Sequence, residues 1–182
     1  MDVELEDLRR QFAAVKEEAA ELVGGLDEAR FNWRPEPGRW SIAENLSHLN
    51  ITGDQYLPAM ERAAERARSE GRLIRGPFRL GWFSSWLIRS MEPPVRRKFR
   101  APRSFQPVHG QPVTAVMPTF LHLQDQFMRA LESASGLDLA RVKVISPINR
   151  LLRIPLGACF ALMAAHERRH LWQSRRVRVA LP

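Results

Sequence analysis

The chain of 182 residues has little of several things, and each scarcity excludes a class of protein. One cysteine, Cys159, rules out an intramolecular disulfide framework and every cysteine-rich zinc motif, and it fits a reducing cytoplasm. No apolar run is long enough to cross a bilayer. The weakly polar stretch 154–165 has 12 residues, including Pro155, where a spanning helix needs about 20. The first residues are acidic, whereas a secretory signal would begin basic and turn apolar. Lysine is rare, 3 residues against 25 arginines, and histidine occurs five times.

What the chain has in quantity is apolar side chains, 45% of the sequence, and net positive charge, +8. The first allows one sizeable core, so a single domain over residues 1–182 is the expectation. The second invites a nucleic-acid reading, because clustered cations release counterions from a phosphate backbone. Its distribution argues otherwise. Residues 1–65 carry 7 basic and 14 acidic side chains, residues 66–103 carry 11 and 2, and residues 104–182 carry 10 and 4. Opposed acidic and basic segments are not the pattern of a uniformly basic binder, and a nucleic-acid partner is not expected.

Hydrophobic periodicity supplies the elements. Leu5, Leu8, Phe12, Val15, Ala19 and Leu22 recur in steps of three and four, a buried helical stripe that Gly24-Gly25 ends. Residues 32–39 contain Pro35, Pro37 and Gly38 and predict a connector. Ser41-Ile42-Ala43-Glu44 has the form of a capping box, so a second helix starts there and continues to about Ser69, bent at Pro58. Six prolines between 70 and 112 forbid a long helix, although 80–90 predicts a short apolar one. The helical stripe returns over 114–133, and a last helix spans 156–177 with Pro155 at its first turn. Residues 141–145 alternate like a strand but show no partner, and read as an extended loop. The fold class is all-α: a four-helix bundle with a long crossover, carrying a short extra helix, between the second and third helices.

Two histidines form His166-Glu167-Arg168-Arg169-His170, an i, i+4 pair whose imidazoles share one helical face about 6 Å apart along the axis. His48 lies on the second helix in a polar, uncharged stripe with Asn45, Thr52 and Gln55, suited to a wet pocket or to an ordinary solvated face. Three neutral imidazoles would hold Zn²⁺ or Ni²⁺ and leave coordination positions open, the catalytic rather than the structural pattern. Gln173, three residues after His170, either orients a ligand or is simply a polar residue of the helix. Of the remaining candidates, His122 reads as a structural or interface histidine and His109 as an exposed loop residue. Cys159 reads as a buried inert thiol, and Glu167, 100° around the helix from His166, as a surface residue. The five tryptophans read mostly as core or pocket wall.

The stretch Pro37-Gly38-Arg39-Trp40-Ser41 leading into the helix of His48, together with His166-Glu167-Arg168-Arg169-His170-Leu171-Trp172-Gln173, resembles the two signatures of the DinB/YfiT-like superfamily. The resemblance implies an up-down-down-up bundle, often dimeric, with a divalent metal on His48, His166 and His170; Asn45 and Gln173 are the candidates to orient these ligands from behind. It also implies a small-molecule substrate and an activity among the family's thiol S-transferases, which use bacillithiol, mycothiol or glutathione, or its relatives of maleylpyruvate isomerase. The family name reflects induction by DNA damage, not DNA binding. Arg96, Arg97, Lys98 and Arg100 would draw an anionic thiol toward the metal, or else are solvated loop charges. Three functions stay open: a metal-dependent thiol transferase or hydrolase; a non-catalytic metal-binding or structural bundle; and a nucleic-acid binder acting through residues 66–103.

Overall fold

The computed structural model describes residues 3–74, 78–94 and 100–182. In chain order the elements are α1 (Val3–Val23), α2 (Glu28–Phe31), α3 (Ile42–Ser69), α4 (Trp82–Met91), a single 3₁₀ turn (Arg103–Phe105), α5 (Val113–Ser133), β1 (Lys143–Ile145), β2 (Arg153–Pro155) and α6 (Leu156–Val179). The protein is mostly helical. Among the described residues, no helix is long and apolar enough to cross a membrane.

Local chemistry explains the ends. Gly25, with φ of +75°, adopts the left-handed conformation that terminates α1. Asp27 accepts from the Arg30 amide and starts α2, a turn not anticipated from the sequence. Ser41 Oγ accepts from the Glu44 amide at 3.1 Å, and the Glu44 carboxylate accepts from the Ser41 amide at 2.9 Å, so both halves of the capping box are formed. α3 continues through Pro58 as one helix.

α1 and α3 each pack against both α5 and α6, and α4 lies along α6. Where α3 passes α5 the approach is tight, since a methyl group at Gly53 would sit 2.2 Å from Leu123 Cδ2. Apolar side chains gather into two clusters. One holds Phe12, Met60, Phe127 and Phe160, with the Phe12 and Phe127 rings stacked at 4.8 Å. The other holds Val15, Leu46, Phe120 and Leu171. Where one cluster gives way to the other along α3, α5 and α6, the buried residues turn polar: His48, Asn50, Thr52, Gln124, Glu167 and His170.

Three expectations need correction. Residues 143–145 are not loop. They pair antiparallel with 153–155 (Lys143 to Pro155, Ile145 to Arg153), because alternation sinks Val144 and Ile154 into the core. The partner strand was obscured by Pro155, which sits at its end, where a missing N–H is tolerated. Trp82 and Trp86 are not core or pocket wall; they are 82% and 57% exposed. α4 packs inward through Leu87, Ile88 and Met91, which leaves the tryptophans on its outer face. Glu167 is not on the surface but 3% exposed. Covered by α1, α3 and α4, and reached by Gln124 of α5, α6 has no broad solvent stripe, so a 100° rotation from His166 still ends in protein.

Candidate metal centre

α3 and α6 bring His48, His166 and His170 together. His48 Nε2 lies 3.3 Å from His166 Nε2, and His170 Nε2 lies 3.1 Å from the same atom. All three ligand atoms fall within 4.8 Å of one another. Tetrahedral to octahedral ligation at about 2.0–2.1 Å would space neighbouring nitrogens at about 2.8–3.4 Å. Two of the three pairs are already at that spacing, and the third, His48 to His170, closes within 4.8 Å, so the donor set is compatible with a first-row divalent ion.

The far side of two rings is fixed. His48 Nδ1 lies 2.7 Å from the Phe105 carbonyl oxygen, which can only accept, so Nδ1 carries the proton and Nε2 keeps its lone pair. His170 Nδ1 lies 2.8 Å from Asn45 Oδ1. The amide is oriented in turn, because Asn45 Nδ2 donates to the Ser41 carbonyl at 2.8 Å. The oxygen must therefore face the ring, and His170 is also a Nδ1–H tautomer. Two lone pairs are thus aimed at His166 Nε2 by partners that do not depend on one another, an arrangement that holds metal ligands in register.

Electrostatics keep the rings neutral. Burial lowers the pKa of His48, against a hydrogen bond to Phe105 that raises it. Burial, then the neighbouring His48 and Arg169, lowers His166 to about 3. His170 is held well below its ordinary value by burial first and the other two rings next, with Gln173 acting weakly the other way. Neutral imidazole is the ligating form. Trp40 covers the group, its ring centroid 4.9 Å from that of His48 and 5.7 Å from that of His170.

The polar stripe on α3 meets the crossover at His48 and Gln55 and turns elsewhere to α6 and to its own backbone. Asn45 reaches His170, Thr52 donates to the His48 carbonyl, and Gln55 Nε2 donates to the Ser104 carbonyl at 3.1 Å. His122 and His109 are exposed and outside the cluster, with His109 Nδ1 3.6 Å from Glu44. Cys159 is buried, and burial pushes its thiol up to about 12, so it is inert. Arg100 is exposed, while Arg96, Arg97 and Lys98 lie outside the described residues. The Phe105 carbonyl gave no signal in sequence, being a backbone atom in a proline-rich crossover. Arg169 was also overlooked. It is 5% exposed, and its charge is felt by both His166 and His170.

A helical protein with three imidazoles converging from two helices, two of them buried and the third half-buried, compatible with a metal ion, defines the class. The chain belongs to the DinB superfamily, whose family model matches residues 11–174. No curated protein and no solved structure matches it.

Proposed function

We propose that the chain is a divalent-metal-dependent enzyme that transfers a low-molecular-weight thiol to an electrophilic small molecule, or hydrolyses a small molecule, at the three-histidine site. The observation that carries this is the convergence of three Nε2 atoms, two of them deprotonated by the partners behind them. His48, His166 and His170 hold the ion, Zn²⁺ or Ni²⁺, while Asn45, the Phe105 carbonyl and Gln173 keep the rings in place. Once bound, the ion supplies Lewis acidity, which yields a nucleophile at neutral pH. Trp40 shields one side of the histidines from water, and the Arg96, Arg97, Lys98 and Arg100 segment attracts an anionic cosubstrate.

The same reading includes one domain over residues 1–182, a cytoplasmic homodimer, and up-down-down-up connectivity. Contacts at the helix ends support the connectivity. Arg178 near the end of α6 donates to Leu22 and Gly24 at the end of α1, and Arg68 near the end of α3 donates to the Ser133 carbonyl at the end of α5. His170, late in α6, meets Asn45, early in α3.

Elemental analysis of the purified chain, followed by a panel of thiols and electrophiles, tests the reading. It expects one first-row metal per chain and conjugation or hydrolysis that stops on chelation and returns with metal. Metal without turnover across the panel would leave a binding protein, and no metal at all would end the proposal.

A further inference from the structure

The basic excess noticed in residues 66–103 finds part of its place at the opposite end of α3 from the histidines. Arg66 is 18 residues beyond His48 on the same helix, about 27 Å along its axis. Ala63, Arg66, Ala67 and Glu70 lie at i, i+3, i+4 and i+7, one face of the last turns of α3 and the turn beyond. The two alanines leave the floor of that face low. Gly71, with φ of +65°, reverses the chain so that Arg72 returns over the same face. The Arg72 amide donates to the Ala67 carbonyl at 2.8 Å, and its carbonyl accepts from the Asp138 amide at 3.1 Å, so this wall is tied on both sides. Pleating of β1 and β2 supplies the facing wall. Val144 and Ile154 point inward, which sends Lys143, Ile145 and Arg153 outward.

The result is a cleft of about 290 Å³ lined by Arg66, Arg72, Lys143 and Arg153, with Val142 in its floor. Glu70 is the one acid in the lining, and it pairs with Arg72 at 2.6 Å. Among the described residues no carboxylate pairs with Arg66, Lys143 or Arg153. The local field is therefore that of about three uncompensated cations on three chain segments, held by backbone bonds.

We propose that this cleft is a second binding site, separate from the histidine centre, for the phosphate or diphosphate group of a small organic anion. Guanidinium forks match phosphate oxygens two at a time, and a multiply charged head is needed to offset the excess. The volume is at the lower edge of small-molecule sites and takes a headgroup with a short carbon body against the alanine and valine floor. It is too small to be a groove for a duplex or a folded partner.

Isothermal titration of inorganic pyrophosphate into the full-length protein at low ionic strength tests the assignment. Binding in the micromolar to low-millimolar range is expected, weakening as salt is added. The exposed pair R66Q/R153Q is expected to bind at least about tenfold more weakly with an unchanged circular dichroism spectrum. R66K/R153K should retain more affinity than R66Q/R153Q, and H170A should titrate like the unaltered protein. No binding by the unaltered protein, or equal binding by R66Q/R153Q, overturns the proposal. Loss of binding in H170A with retention in R66Q/R153Q also overturns it, because the anion would then sit at the histidines.

Discussion

His166 and Glu167 are consecutive residues of α6, the first half-buried and the second buried, and they send polar groups to opposite neighbours. His166 meets His48 of α3 and His170, whereas Glu167 Oε1 accepts from Gln124 Nε2 of α5 at 2.9 Å. Behind two of the histidines every ring N–H has an acceptor, and what remains in front is a set of lone pairs with room for a cation. Around Glu167 the shortage runs the other way. Glu167 Oε2 and Gln124 Oε1 are both acceptors without a partner among the described residues. A proton on the carboxyl answers that shortage, and burial raises the Glu167 pKa to about 8 despite the Gln124 hydrogen bond. Burial of polar groups alone does not make a site. The difference lies in which atoms are left over: converging lone pairs call for a metal, and two orphaned oxygens call for a proton.

The sharpest way to break the histidine half is His48→Ala. It removes one of three ligands and leaves the Phe105 carbonyl without its donor, so metal affinity should fall by three orders of magnitude or more, about 4 kcal/mol. Competition with a chromophoric chelator measures it, and occupancy equal to that of the unaltered protein would remove His48 from the ligand set. The corresponding break on the other side is Glu167→Gln. A carboxyl whose folded pKa lies above its unfolded value holds its proton while the unfolded chain has lost one. Stability therefore falls as pH rises from about 4.5 and levels off above about 8. Relative to E167Q, the unaltered protein should lose up to about 4 kcal/mol between pH 5 and 8 in urea unfolding. Parallel stability curves for the two would mean that Glu167 is ionised throughout.

This contrast was only half visible in the sequence. The i, i+4 spacing of His166 and His170 and the polar stripe around His48 depend on helical period alone, which sequence reports well. Glu167 depends on what covers α6 from outside, and a helical wheel gives an angle but no neighbours. The same gap explains Trp82 and Trp86, whose apolar character suggested burial, while the packing of Leu87, Ile88 and Met91 decided which face of α4 turned inward. It also explains the hairpin, since a three-residue strand becomes recognisable once its partner is known. Asn45 was legible as a polar neighbour of His48, yet its contact is with His170 on α6.

Asn45 and Ser41 separate orientation from folding within the histidine half. Asn45→Ala deletes the acceptor of His170 Nδ1–H and frees the ring to turn, so metal affinity should drop about 10- to 100-fold with all three ligands still present. Asn45→Asp keeps an acceptor for His170 Nδ1–H but loses the donor to the Ser41 carbonyl, so it should recover part of the loss, an outcome a merely structural role for the residue would not give.

Ser41→Ala acts one step further back and should have the smallest effect on metal. It removes the side-chain half of the capping box, which costs about 1 kcal/mol of stability. Asn45 Nδ2, however, donates to the Ser41 backbone carbonyl rather than to its hydroxyl, so the amide that orients His170 keeps its anchor. Thermal unfolding of the metal-free form should register the cap, while metal affinity stays within about twofold of the unaltered protein. A loss of affinity as large as that of Asn45→Ala would show that the cap and the ligand are coupled through the helix end, and that the histidine half is less separately built than its hydrogen bonds indicate.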